Sequence, residues 1–272
     1  MAETTGISWT DHTWNPWRGC VKISPGCDNC YAEHGSHRNP KVLGEWGKNS
    51  RRAIGVPNYW KDPYRWNKKA DDDRVRRRVF TLSLGDFWER RPDLIEPRAR
   101  ALEIINDCQH LDWLILSKRP EHILDCLKEI GHQPNLFETF PFRHVLLGVT
   151  VERMDYLWRA DVLHSIPCHR RFLSVEPMLG PIELGTVRPN WVIVGGESDQ
   201  EFPERTRIFR LEWARLLLDE CRRADIPYFF KQTGDLVGSS HPDDTPYLLN
   251  ITMAGKDPEK WPPDLCVQEF YH

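Results

Sequence analysis

The chain has 272 residues, enough to bury a substantial core, and its net charge of -3 gives the whole molecule no pull toward polyanions. It contains no apolar run of about 18 residues, and its first residues, MAETTGISWTDHTW, lack the basic and apolar stretches of an export signal, so a cytoplasmic protein without membrane contact is expected. Eight cysteines are too few at this length for a disulfide scaffold. Cys108, Cys126, Cys168, Cys221 and Cys266 stand singly and read as small apolar residues, buried or half-buried, whereas Cys20, Cys27 and Cys30 cluster.

In chain order, a strand is expected within residues 7–14 and a helix starting near Tyr31. Residues 38–73, rich in Lys, Arg, Gly, Pro, Asn and Trp, show little periodicity and read as an irregular insertion, which extends to about residue 78 with the basic run RVRRR. Strands then follow at 79–84 (VFTLSL), 113–116 (WLIL), 145–151 (VLLGVTV), 171–175 (RFLSV), 191–194 (WVIV) and 226–230 (IPYFF). Helices are expected at 94–108, 121–130, 154–164 and 211–224, where apolar residues recur at three- and four-residue spacing. The link from Val175 to Trp191 holds prolines and glycines and reads as a loop.

Alternating strands and helices predict an α/β fold with parallel strands, and no glycine fingerprint for a dinucleotide or triphosphate follows any strand. A partial or complete (β/α) barrel is therefore expected over residues 1–235, with 236–272 as a C-terminal extension packed on the same domain. Polar residues gather just past the strand ends: Ser83 and Asp86; Ser117, Lys118 and Arg119; Thr150 and Glu152; Glu176; Gly195, Gly196 and Glu197; Lys231 and Gln232. In a barrel such positions meet at one mouth, where active sites are built.

Residues 19–33 read GCVKISPGCDNCYAE, a C-x6-C-x2-C pattern on a loop bent by Gly19, Pro25 and Gly26. Three thiolates on one short loop can converge on a metal. A structural zinc needs a fourth ligand, for which His12, His34 and His37 are near in sequence. A cubane held by three thiolates instead keeps one iron open.

In these residues the chain resembles the radical S-adenosylmethionine superfamily, whose usual spacing is C-x3-C-x2-C; here the first gap is longer, and Asn29 stands where an aromatic is common. Within the superfamily it is most similar to a three-cysteine group carried by phages and bacteria. That likeness rests on WTDHTWNP (9–16), GCVKISPGCDNCYA (19–32), SKRP (117–120), LGVTVE (147–152), SVEPMLGP (174–181), VIVGGES (192–198) and FFKQ (229–232). The resemblance implies a barrel of the radical-SAM type in which Cys20, Cys27 and Cys30 hold a 4Fe-4S cluster. S-adenosyl-L-methionine would be cleaved to a 5'-deoxyadenosyl radical after reduction by an external donor of the flavodoxin or ferredoxin type. It also implies cofactor-binding roles for Ser83 and Asp86 toward the methionine ammonium, Ser117 and Lys118 toward its carboxylate, Thr150 and Glu152 toward the ribose, and Tyr31 and Gly196 beside the adenosyl group. Glu176 and Glu197 are further candidates, as cofactor or substrate contacts.

For the substrate, the phage association points to a base in DNA, such as a hypermodified thymine, in host cytoplasm if the gene is phage-encoded. Trp46, Tyr59, Trp60 and Trp66 would offer stacking faces, and Lys48, Arg51, Arg52, Lys68, Lys69 and the run 74–78 phosphate partners. The alternatives are radical modification of a peptide or small metabolite, or a non-enzymatic zinc-stabilised nucleic-acid-binding module.

Overall fold

Runs of β-branched and aromatic residues form parallel strands, and the amphipathic segments between them form helices. The computed structural model describes residues 5–137, 142–199, 205–248 and 253–271. The chain divides into two units: Met1–Lys22, Gly35–Val149 and Val162–Arg171 form one, and Ile23–His34, Thr150–Asp161 and Phe172–His272 the other. The architecture is α/β with parallel strands, and no helix among the described residues is long and apolar enough to cross a membrane.

In chain order the main elements are β1 (His12–Thr13), α1 (Tyr31–Arg38), α2 (Asp62–Asp73), β2 (Arg77–Thr81), α3 (Ile95–Asp107), β3 (Leu111–Ser117), α4 (Ile123–Glu129), β4 (Val145–Thr150), α5 (Trp158–Ser165), β5 (Arg170–Val175), β6 (Trp191–Gly195), α6 (Leu211–Arg223) and β7 (Tyr228–Gln232). In the first unit β1, β2, β3 and β4 lie side by side in sequence order, with Thr13 opposite Phe80, Val79 opposite Trp113 and Ile115 opposite Leu147. Such a sheet is covered on both faces, and β3 is accordingly buried along nearly its whole length. In the second unit β5, β6 and β7 pair in order, with Leu173 opposite Val192 and Val192 opposite Tyr228.

Helix α6 shows how burial selects its face. Leu211, Ala214, Leu217, Leu218 and Cys221 are buried at helical spacing, while Glu212 in the first turn and Arg222 and Arg223 in the last complement the helix dipole. The tail packs within the same unit as β7: Phe230 N–H donates to Val267 O at 2.8 Å, and Trp261 meets the Phe230 ring edge-on. Residues 176–190 contain no helix or strand, as their prolines and glycines predict.

The insertion differs from the expectation of irregular structure. Residues Asp62–Asp73 form a helix that buries Pro63, Trp66 and Ala70, three positions at helical spacing amid charged neighbours. Pro63 suits the first turn, where its missing N–H leaves no bond unmade. Three of the four aromatics expected to stack on bases, Tyr59, Trp60 and Trp66, instead build the core of the first unit: Trp60 meets Trp14 edge-on, Trp14 meets Trp113, and Trp66 stacks on His12 at 4.4 Å. Tyr59, Trp60 and Trp66 are all buried. The basic run is likewise engaged within the chain, Arg76 with Asp112 at 2.8 Å, Arg77 with Asp73 at 3.0 Å and Arg78 with Asp11 at 3.1 Å.

Strand β2 also ends three residues earlier than its sequence predicts, because the main chain turns away to be captured by Asn15. The Asn15 side-chain Oδ1 accepts from Ser83 N–H and Leu84 N–H at 2.8 Å each, and the Asn15 backbone N–H donates to the Tyr59 hydroxyl at 2.7 Å. Replacing Trp66 by Ala empties a core position, so we expect a loss of about 3–5 kcal/mol in urea unfolding with an unchanged denaturant slope. A stability within error of the wild type would return Trp66 to a surface role.

Candidate functional site

The first unit concentrates its buried charge just beyond β2 and β3. Asp86 is 4% exposed, and both its carboxylate oxygens are bound by the chain. Ser117 Oγ donates to one at 2.6 Å and Trp88 N–H to the same oxygen at 3.0 Å; Lys118 N–H and Arg119 Nη1 donate to the other, each at 3.0 Å. Burial opposes the charge on Asp86, but the Arg119 guanidinium and these hydrogen bonds outweigh it and hold the carboxyl below the usual carboxylate range. Ser117 Oγ also accepts from Arg119 N–H at 2.8 Å, so Asp86 and Ser117 together fix the start of the segment after β3.

Arg119, itself buried, passes this constraint to the cysteine loop. Its Nη2 donates to Val21 O at 2.6 Å, and its Nη1 lies 3.7 Å from Cys20 Sγ. The packed surroundings push the Cys20 thiol up to about 12, against the opposing pull of Arg119. The Cys20 carbonyl is held as well, by Gly47 N–H at 2.9 Å.

The 45–50 segment containing Gly47 is pinned in turn by Arg52, which donates to Glu45 O at 3.2 Å, Ser50 O at 3.0 Å and Gly47 O at 3.3 Å. Glu89 neutralises Arg52 through two bonds of 2.8 and 2.6 Å. Arg52 is therefore a structural cation, whereas Lys48 and Arg51 on the same segment are exposed and Trp46 is half-buried.

In the second unit Cys27 and Cys30 are half-buried, as Cys20 is in the first; Cys108, Cys126, Cys168 and Cys221 are buried, and none of the eight is in a disulfide. Cys266, expected to be at least half-buried, is exposed at a turn rich in proline. The loop before Cys27 is held by two carboxylates that the sequence singles out. Glu152, fully buried, is paired with Arg159 at 2.7 Å and lies against Gly26, whose N–H is 3.4 Å from Glu152 Oε1. Glu197 accepts from Asn29 Nδ2 at 3.0 Å and from Arg207, while Arg207 Nη2 donates to Pro25 O at 2.8 Å. Asn29, in the place where the resemblance leads one to expect an aromatic, thus has a defined job as a donor to Glu197 and to Arg205 O.

Further contacts complete the second unit's polar set. Glu176 and Lys231 form an ion pair at 2.6 Å, and Ser174 Oγ donates to Glu176 at 3.2 Å. His34 Nδ1 makes a short hydrogen bond to the buried Asp199, whose N–H donates to Asp235 at 2.6 Å. Thr150 is buried and Tyr31 is 54% exposed. Gly196 is dictated by the chain itself: a Cβ there would lie 2.0 Å from Thr233 O, and its N–H donates to Gln232 O.

Each expected strand-end residue is thus built into a local network, and the sequence pattern singles out neither Arg159, Arg207, Asn15 and Asn29 as partners nor the pairing of Arg119 with Asp86. Arg119, Arg159 and Arg207 carry the guanidiniums that neutralise Asp86, Glu152 and Glu197, and Asn15 and Asn29 supply amide bonds. Arg159, seven residues after Glu152, could have been found from sequence proximity, whereas Arg119 lies 33 residues from Asp86 and carries no such signal. Among the described residues, no three His, Cys, Asp or Glu side chains are gathered at the spacing of one metal ion.

Replacing Asp86 by Asn keeps the shape but leaves Arg119 buried without its counter-charge, so a loss of about 3–5 kcal/mol is expected in denaturant unfolding at neutral pH. The lowered carboxyl stabilises the fold at pH values above its ordinary 3.8, and this contribution disappears as pH falls through the still lower folded-state value. The wild type should therefore lose stability below about pH 4 more steeply than the Asn variant. Parallel acid profiles for the two proteins would refute the pairing.

A family model described as a protein of unknown function, DUF5131, matches residues 4–258. No curated protein and no solved structure matches the chain. With nearly its whole length matched, the chain belongs to the DUF5131 family.

Proposed function

We propose that this protein is a radical S-adenosylmethionine enzyme whose 4Fe-4S cluster is held by Cys20, Cys27 and Cys30. The observation that carries the reading is the contrast among its cysteines: the three in the C-x6-C-x2-C segment are half-buried, while the four buried ones are packed as small apolar residues. Their chemistry suits an iron–sulfur group, since thiolates are its usual protein ligands. When bound, such a cluster supplies an electron, delivered by a flavodoxin- or ferredoxin-type donor, for reductive cleavage of S-adenosylmethionine.

The chain's own residues have separate tasks in this reading. Arg119 and Gly47 hold the main chain at Val21 and Cys20, and Glu152 and Arg207 hold it at Gly26 and Pro25. Lys118, Thr150, Glu176 and Gly196 are the proposed surroundings of S-adenosylmethionine, and the parallel strands are read as parts of a (β/α) barrel. Asp86, Ser117, Glu152 and Glu197 act through the arginines and loops they fix, and Ser83 through Asn15.

The test is anaerobic reconstitution followed by iron and sulfide analysis and measurement of 5'-deoxyadenosine. Alanine at Cys20, Cys27 or Cys30 should abolish cluster absorbance and cleavage, while alanine at Cys126 should retain both. Full cleavage by Cys27→Ala would remove the cluster assignment.

For the substrate we propose a base in DNA, with contacts narrowed to the segment that borders Cys20. The Gly47 N–H bond to Cys20 O sets beside Cys20 the segment that leads through Trp46 and Lys48 to Arg51, which in this reading offers a ring for stacking and two cations for phosphates. Lys48→Glu with Arg51→Glu should cut DNA-stimulated 5'-deoxyadenosine formation by about tenfold or more at physiological salt while leaving the DNA-independent background unchanged. Equal stimulation in both proteins, or none by any DNA or nucleotide, would shift the substrate to a peptide or small metabolite.

A further inference from the structure

Arg119 holds a cation in a buried position where three acceptors converge. Its Nη2 is committed to Val21 O at 2.6 Å, whereas its Nη1 stands between Asp86 Oδ2 at 3.0 Å and Cys20 Sγ at 3.7 Å. The group cannot swing away, because Asp86 is itself fixed by Ser117 Oγ and by the N–H groups of Lys118 and Trp88, and Arg119 N–H is tied to Ser117 Oγ. A guanidinium suits this place and an ammonium does not: its rigid fork serves the carboxylate, the carbonyl and the sulfur at once.

We propose that Arg119 is the fixed N–H donor and counter-charge to the Cys20 sulfur, and that it sets the reduction potential of the group this sulfur binds. The inference rests on the cluster reading above. Hydrogen bonds to ligating sulfur and nearby positive charge stabilise the reduced, more negative state, so they raise the potential. Asp86 limits the effect by neutralising part of the cation, and Ser117 keeps both partners in register. Arg119 acts here as a positioning residue, through the sulfur. A purely structural arginine would alter stability and iron retention but leave the potential of a fully loaded protein where it was.

The experiment compares wild type, Arg119→Lys and Arg119→Gln after anaerobic reconstitution, with iron and sulfide content measured first and the midpoint potential then read by spectroelectrochemical titration. The Gln protein should be harder to reduce by at least tenfold in the reduction equilibrium, about 59 mV for a one-electron couple, and the Lys protein should shift the same way by less. If Gln does not retain iron, the Lys protein decides: a negative shift at full iron content supports the inference, and an unchanged potential overturns it. Potentials equal to the wild type in both loaded variants also overturn it, with the cluster reading intact. A wild type that binds no iron or sulfide removes the cluster reading and this inference together.

Discussion

Asp86 and Glu89 lie three residues apart just past β2, and each neutralises a buried guanidinium that ends on the main chain around Cys20. Removing a carboxylate from water is costly, and so is removing an arginine, so each survives in the interior only because the other is there with its hydrogen bonds complete. Arg98 strengthens the arrangement from behind, donating to Phe87 O at 3.0 Å and Glu89 O at 2.6 Å. The segment between the two carboxylates is therefore immobilised through both side chain and backbone, and its ring pair Phe87 and Trp88 is fully buried. The position of the Cys20 loop within the first unit follows from this short stretch more than from any helix or strand beside it.

The second unit repeats the device with different members. Glu152 holds Arg159, which also donates to Thr150 O at 3.0 Å, and Glu197 holds Arg207, which reaches Pro25 O. In both cases the carboxylate lies past a strand end, where the parallel ladder stops and main-chain groups need other partners. Charged pairs serve there as fasteners for irregular backbone, and their value lies in geometry more than in net stability.

Much of the fold was legible. Strands β3 to β6 and helices α3 and α6 stand where periodicity and β-branched runs predict them, because each buries a contiguous apolar face. Helix α2 was not legible, since three buried positions among eight charged or amide residues and the exposed Tyr64 give a weak signal, and its helical state depends on packing Trp66 against His12. The end of β2 was missed for a similar reason: the apolar run continues to Leu84, but a side-chain amide from Asn15 takes the N–H groups that would have extended the ladder. At the site, residue types and strand-end positions were visible in the sequence, whereas the pairing of carboxylates with arginines was not. Asp86 and Arg119 are brought together by strand pairing, which a linear pattern does not record.

Apart from the Gly47 N–H bond to Cys20 O, the arginines that fasten the segment next to Cys20 do so through its carbonyls. Arg52 takes those of Glu45, Gly47 and Ser50, and Arg91 takes those of Lys48 and Ser50, at 2.8 and 3.1 Å. Carbonyl oxygens are common to all residues, so this clamp is blind to the side chains that the segment displays. Its outline can persist while Trp46, Lys48 and Arg51 are exchanged, so the frame and the side chains it displays can change independently. Point substitution there would alter what the segment displays without remodelling the loop that carries it.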